Sequence, residues 1–326
     1  LTPASFGEEG TYNEWKPIQY TGSHGTNGVH LDFQNSGDLG ADASGTGDWT
    51  ASNFGAQDQV RDTPSNNFPI LNILSQNPTI VVDYGHRRLT SADGLAGTGG
   101  VLATMELPHS GKWYWEVHAK DIDNNRPNHY YGIEESRSMD HRTINTIGSG
   151  IIQQSRVYQS NGNGTKNESE SAYGGAWSDG DIIAVQADMD NGKIYYRRNN
   201  TLESSGAAAF SIDPYYQSFV PSFGVYEDAA NVADGGNRCI VNFGQDSSFL
   251  GTKTAQGNQD GNGNGDFYYT PPAGYLALCS KNLPEPDVVP QEHFNTVLHT
   301  GTGNNGNSIS GVGFSPDFVI IKDRGA

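Results

Sequence analysis

The sequence predicts an all-β protein, and three observations carry that expectation. Of 326 residues, 42 are glycine, 16 tyrosine and 13 phenylalanine, a composition suited to short strands joined by many turns. The Leu/Ala/Glu/Lys periodicity of an amphipathic helix is almost missing. Third, residues 180–197 read as two strands and a turn. Ile183, Val185, Ala187 and Met189 share one face at a period of two, while Ile182, Gln186 and Asp188 lie on a wetter one. Asn191-Gly192 supplies the φ > 0 pair of a two-residue hairpin, after which Ile194 and Tyr196 return on a common face.

Taken in order, residues 1–27 are polar and weakly patterned, a lead-in segment with Trp15 and Ile18 as anchors. Val29, Leu31 and Phe33 alternate with His30 and Asp32 as a half-buried strand; a turn region over 35–48 and a strand over 49–54 follow. Pro64 and Pro69 keep 62–69 extended or turn-like. The apolar run 79–84 suits a strand covered on both faces. Strands over 102–107 and 111–119 come next, the second with Trp113, Trp115 and Val117 opposite Tyr114, Glu116 and His118. After a loop over 121–128, Tyr130, Tyr131 and Ile133 resume a strand, and 134–142 is a highly polar loop.

The Asn/Gly/Ser-rich stretch 159–171 reads as a mobile loop tip. Strands over 207–212, 219–226, 238–243 and 275–279, with a flexible Gly/Asn loop at 257–265, complete a domain spanning 28–280. Pro284, Pro286 and Pro290 make 281–290 a stiff linker. Residues 291–326 read as the beginning of a second β-domain, because the strand-like run at 318–321 lacks partners to bury it. Similar turns at 21–28 and 300–306, and a first residue other than Met, suggest an internal piece of a modular protein.

A formal charge of −18 opposes phosphate backbones and anionic membranes, so nucleic acid is not an expected partner. No run approaches 18 apolar residues, so membrane insertion is not expected either. Charged residues make up only 17%, leaving amides, hydroxyls and glycine to form the surface, as in extracellular and virion-surface β proteins. Cys239 and Cys279 lie in strand-like runs and read either as two buried thiols or as a disulfide between neighbouring strands.

Five separated pieces resemble the SPRY family: Gly111-Lys-Trp-Tyr-Trp-Glu-Val; Trp177-Ser-Asp-Gly-Asp-Ile-Ile-Ala-Val with Asp188-Met-Asp-Asn-Gly-Lys-Ile-Tyr-Tyr-Arg-Arg-Asn; Ala209-Phe; Val220-Pro-Ser-Phe-Gly-Val; and Val241-Asn-Phe-Gly-Gln. They stand in SPRY order within 79–283, with polar inserts around Gly162 and Gly261. The resemblance implies an antiparallel, concanavalin-like β-sandwich. The flanks, Leu1-Thr-Pro-Ala-Ser-Phe-Gly-Glu, Gly25-Thr-Asn-Gly-Val-His-Leu-Asp-Phe, Asp62-Thr-Pro-Ser-Asn-Asn-Phe, Phe294-Asn-Thr-Val-Leu-His-Thr-Gly and Gly313-Phe-Ser-Pro-Asp-Phe-Val-Ile-Ile-Lys-Asp-Arg, resemble segments of large modular bacteriophage tail or fibre proteins. That second resemblance implies a non-enzymatic structural component at the virion surface, serving assembly and host attachment. Its partners would be other virion proteins, further copies of itself in a homo-oligomer such as a trimer, and a host-surface glycan or protein. A capsid-decorating or purely structural spacer, and a carbohydrate-active enzyme or lectin, are the alternatives.

Glycosidases on concanavalin-like folds alternate carboxylates along a strand as Glu-x-Asp-x-x-Glu. No such string occurs: Glu116 stands alone, and the adjacent Glu134 and Glu135 point to opposite faces of a strand. Scattered histidines and the lack of a Gly-x-Ser-x-Gly elbow leave no expected catalytic residue. Ligand binding would draw on loop aromatics and charges, here Tyr130, Tyr131, Tyr158 and Tyr173 with Arg137, Asp140, His141 and Arg142; edge or core packing is each tyrosine's competing role. Trp177 reads as core. No cofactor is expected, save calcium at Asp260, Asn262, Asn264 and Asp266, where oxygens alternate but Pro271 replaces the closing glutamate of an EF-hand.

Overall fold

The computed structural model describes residues 1–326 except 13, 56–57, 77, 92–96, 123–128, 137–154, 167–168, 228–237, 286–287 and 324–326. The chain forms two compact units, Leu1–Ser23 with Pro284–Ala326, and His24–Leu283. In the first, β1 (Gly7–Glu9) and β2 (Trp15–Pro17) make an antiparallel hairpin. Glu14 holds its turn by accepting the Tyr12 N–H at 2.8 Å and pairing with Lys16 at 2.7 Å. The strand expected at 318–321 does not form; among the described residues it has no strand partner, and Phe318 and Ile320 stand about four-fifths exposed.

The larger unit contains β3 (Ile80–Asp83), β4 (Arg88–Ser91), β5 (Gly97–Leu102), β6 (Lys112–Lys120), β7 (His129–Glu135), β8 (Ser155–Gln159), β9 (Asn163–Lys166), β10 (Ser169–Ala172), β11 (Ile182–Asp188), β12 (Lys193–Arg198), β13 (Thr201–Leu202), β14 (Phe210–Ser211), β15 (Phe219–Glu227), β16 (Arg238–Asn242) and β17 (Leu276–Ala277). Among the described residues there is no α-helix. One sheet runs β10-β9-β8-β7-β15-β5. The other, of nine strands, runs β13-β12-β11-β6-β16-β4-β3, with β14 on β12 and β17 on β6; the β17–β6 pair alone is parallel among the described strands. The fold is an antiparallel β-sandwich, as the sequence predicts.

At its centre lies β6, with β11 on one side and β16 on the other. Val117, Trp115 and Trp113 pair with Ile183, Val185 and Ala187, and this inward row meets the other sheet through Trp115, Phe243 and Phe223. The opposite face is not wet. Tyr114, Glu116 and His118 are at most 2% exposed. The chain after β16 covers them: Phe267 packs edge-on against Tyr114 at 5.2 Å, Phe249 lies 5.4 Å from His118, and Tyr268 and Tyr269 donate their N–H groups to Glu116 at 2.8 Å each. The stretch at 257–265, expected as a flexible loop, is part of this cover and is held by Asp260 and by the Asn258–Phe267 bridge.

Four donors converge on the Glu116 carboxylate, the others being the Tyr114 hydroxyl at 3.0 Å and Asn242 Nδ2 at 3.4 Å. Burial pushes the carboxyl up to about 7 against the pull of those donors. His118 shifts the other way. Burial lowers its imidazole to about 4, chiefly because a buried cation would lose its hydration. Thr252 Oγ1 lies 3.0 Å from His118 Nδ1 and donates its own proton to the Phe249 carbonyl, so the ring N–H belongs on Nδ1. Arg87 and Asp246 form a second buried polar contact at 2.8 Å, and Asp246 also accepts from Ser248 and Leu250 backbone N–H groups.

Several local expectations are corrected. The 189–192 turn has four residues, since Asp188 pairs with Lys193. Asp188 accepts the Asn191 N–H at 3.1 Å and holds that residue in ordinary backbone space, leaving only Gly192 left-handed, at φ 59°. β3 is an edge strand with Val81 45% exposed, not a doubly covered one. The polar stretch at 159–171 contributes β9 and β10, because its alternate residues extend the β8 ladder. No strands form at 29–33 or 49–54: the Asp42 carboxylate takes the His30 N–H, and Trp49 donates to the Gly40 carbonyl outside any ladder. Cys239 and Cys279 are buried free thiols.

Two predictions follow from the buried polar groups. Between the ordinary 4.5 and about 7, native Glu116 keeps a proton that the unfolded chain releases, so its contribution to stability falls as pH rises. Between about 4 and 6.5 the unfolded chain binds a proton that native His118 refuses, so its contribution rises with pH. The slopes oppose one another, and urea midpoints across this range should rise with pH in Glu116→Gln and fall in His118→Gln, each relative to wild type; parallel profiles for all three would reject the assignment. Asp246→Ala, which removes a buried partner of Arg87 and the acceptor of the Ser248 and Leu250 N–H groups, should cost about 3–5 kcal/mol in the same measurement.

Candidate functional site

One end of the sandwich gathers the start of β6, the turn between β11 and β12, the segment between β14 and β15, and the end of β7. The sequence of that segment is Asp213-Pro-Tyr-Tyr-Gln. Asp213 Oδ1 accepts the Tyr215 N–H at 3.1 Å and its carbonyl accepts the Gln217 N–H at 3.0 Å, closing a single turn. Both flanks are fastened. Ile212 donates to the Gly192 carbonyl at 2.9 Å, Ser136 donates to the Ser218 carbonyl at 2.8 Å, Gln217 Nε2 donates to Glu135 at 3.1 Å, and His109 Nδ1 bonds the Pro214 carbonyl.

The turn beneath is equally braced. Asp190 accepts the Gly111 N–H at 2.7 Å, and Met189 returns a bond to the Gly111 carbonyl at 2.9 Å. Lys112 pairs with Asp188 at 2.7 Å, a contact that raises the lysine above its usual range. On this platform Tyr215 and Tyr216 stand 80% and 70% exposed, ring centroids 4.7 Å apart and nearly perpendicular. Two exposed aromatic faces on a fastened turn, with His109 and Asp213 bonded to its backbone, can stack on a flat partner surface while the phenols exchange hydrogen bonds.

The tyrosines expected to bind ligand lie elsewhere. Tyr131 and Tyr158 are cross-strand partners facing inward, fully buried against Trp177. The Tyr131 hydroxyl meets His129 Nδ1 at 2.7 Å, and burial raises its phenol well above the usual range. Tyr158 bonds the Gly175 carbonyl. Tyr173 is half-buried against Tyr158 and Tyr196, its phenol raised to about 12, chiefly by burial. Tyr130, on the other face of β7, is 7% exposed. These four are framework, their competing role, and Trp177 is core as expected. Arg137, Asp140, His141 and Arg142 lie outside the described residues.

The calcium candidates form a hydrogen-bonded turn. Asp260 Oδ1 accepts the Asn262 and Asn264 N–H groups at 2.9 Å each, and Oδ2 accepts Ala277 N–H at 2.9 Å and Asn282 Nδ2 at 2.7 Å. Asn262 and Asn264 turn their amide nitrogens to Asn282 Oδ1. Asp266 lies beside Arg61, 4.0 Å away. Among the described residues no group of three or more His, Cys, Asp or Glu side chains is placed to hold a metal. Tyr215 and Tyr216 escaped the sequence reading, although an Asp-Pro turn carrying paired aromatics between two strands was a signal for them.

Residues 112–246 match the model of the SPRY domain. That region, similar to SPRY domains, runs from β6 through the β11–β12 hairpin to Asp246, just past β16. No curated protein sequence matches the chain. Among solved structures, the SPRY domain of human HERC1 is 18% identical, with 52% of this chain and 96% of that one covered at a TM-score of 0.39. A human SPRY domain is 18% identical over 50% and 94%, with a TM-score of 0.38. Stonustoxin is 14% identical over 54% of this chain and 27% of its own, with a TM-score of 0.39.

The platform beneath the tyrosine pair yields a prediction at Gly192. A Cβ there would sit 2.4 Å from the Ile212 carbonyl oxygen on a left-handed backbone. Gly192→Ala should cost about 1–3 kcal/mol, read as a lowered unfolding midpoint. Gly257→Ala, at φ 72° with open space around its Cβ, should lower it less.

Proposed function

We propose that this chain is a non-enzymatic attachment module whose contact surface is the Tyr215–Tyr216 end of the SPRY domain, and whose ligand is a neutral host-surface saccharide. The observation that carries this reading is the exposed tyrosine pair on a turn fastened from both sides. Ordered rings lose little conformational entropy on binding, which is how a small aromatic patch becomes an effective contact. A chain charge of −18 disfavours sulfated or sialylated ligands and favours uncharged ones.

SPRY domains are in general interaction modules, which supports binding over catalysis. The resemblance of the flanks to bacteriophage tail and fibre proteins supports a place at the virion surface, among other virion proteins. There, several copies in a homo-oligomer would multiply a weak single-site affinity.

A glycan array probed with wild type and with Tyr215→Ala/Tyr216→Ala tests the reading. The double variant should bind neutral glycans at least about ten-fold more weakly, with an unchanged unfolding midpoint because both rings are exposed. Equal binding by the two proteins would remove this surface from the proposal. No glycan binding by wild type, with association to particle subunits through this same end, would replace attachment by a spacer role.

A further inference from the structure

Residues 24–60 lie outside the matched family region and carry an open groove of about 410 Å³, lined by 36–39, 48–51, Phe54 and Gly55. Its walls are fixed without strands. Asp42 accepts the N–H groups of His30 at 2.8 Å, Ser44 at 2.9 Å and Thr46 at 3.2 Å, together with the Ser44 and Thr46 hydroxyls at 2.7 Å. Those donors, the His30 N–H first, hold its carboxyl well below the usual range. Trp49 donates to the Gly40 carbonyl at 2.8 Å, and a Cβ on Gly40 would lie 1.8 Å from the Trp49 oxygen, so two chain segments touch there through glycine alone.

The lining is aromatic and acidic together. Trp49 and Phe54 are 61% and 67% exposed. Asp38 gives one oxygen to the Gly40 N–H at 3.1 Å, and Asp48 gives one to the Asp42 N–H at 3.0 Å. Among the described residues the second oxygen of each has no partner, and no Lys, Arg or His lines the groove. Two carboxylates with no Lys, Arg or His among the lining residues, beside two exposed rings, repel an anion. They suit a cation, which gains from the ring quadrupole and the carboxylates at once.

We propose that this groove receives the guanidinium or ammonium end of a basic side chain on a partner polypeptide. The site is distinct from the tyrosine pair and stands or falls independently of it.

The test follows the Trp49 indole N–H by NMR, assigned by its loss in Trp49→Phe, while Nα-acetyl-arginine amide, Nα-acetyl-lysine amide or methyl glucoside is added to the full chain. Both cations should shift the signal saturably and methyl glucoside should not. Asp38→Asn/Asp48→Asn keeps both backbone acceptors and removes only the charges, so it should fold normally and weaken cation binding about ten-fold. Raising salt should weaken wild-type binding and leave the double variant little affected. Saturable binding of methyl glucoside, cation binding indifferent to the Asn substitutions, or no saturable shift with either cation would each overturn the proposal.

Discussion

The carboxylate of Glu116 is the point at which two kinds of structure are joined. It sits at the centre of the nine-stranded sheet, on the face turned away from the sandwich interior, and receives the backbone N–H groups of Tyr268 and Tyr269. Those residues belong to a segment with little strand of its own, yet it buries Tyr114 and His118. A segment buried without ladder partners must find acceptors for its N–H groups elsewhere, since an unpaired buried amide costs about 1–3 kcal/mol. Side chains supply them throughout this cover. Asn242 accepts from Gly244 and Asp246, Gln245 from Phe243, Ser247 from Gln256 and Gly257, and Asp260 from Asn262, Asn264 and Ala277.

This arrangement separates the titratable groups that hold the molecule from those able to meet a partner. Glu116, His118, Cys239 and Tyr131 are unusual in environment because they are enclosed, and their shifts come first from burial. A perturbed group in a cleft is a candidate for chemistry; a perturbed group sealed under Phe249 and Phe267 is a packing element that happens to ionise. The groups placed to meet a partner stand instead at loop ends, where a fastened backbone presents an exposed ring or a carboxylate oxygen.

Much of the fold was legible because a period of two survives wherever one face is buried. Trp113, Trp115 and Val117 declared the core side of β6, and Ile183, Val185 and Ala187 its partner. The cover was not legible, because burial of the second face depends on residues more than a hundred positions away, and glycine and asparagine look the same in a mobile loop and in a tightly bonded one. Parity also decided the tyrosines. Tyr131 and Tyr158 follow the inward register of their strands, whereas Tyr215 and Tyr216 lie on a turn that obeys no strand period and so must be read from Asp213-Pro214. The 189–192 turn misled for a related reason: Asn-Gly is a two-residue hairpin signal only if the asparagine is free to turn left-handed, and Asp188 engages Asn191 instead.

The same device recurs far from β6, and it gives the acidic composition a physical meaning beyond solubility. Asp42, Asp62, Asp188, Asp213, Asp246 and Asp260 each accept at least one backbone N–H where the chain turns or leaves a sheet. A carboxylate can accept several such bonds at once, and a charged acceptor strengthens each. A chain with 42 glycines and long strandless stretches needs many such acceptors, and aspartate, short and close to its own backbone, is the residue that reaches. Asp38 and Asp48 follow the same rule in one place where it has a further consequence: each gives one oxygen to a backbone N–H, and both line a groove that no Lys, Arg or His lines.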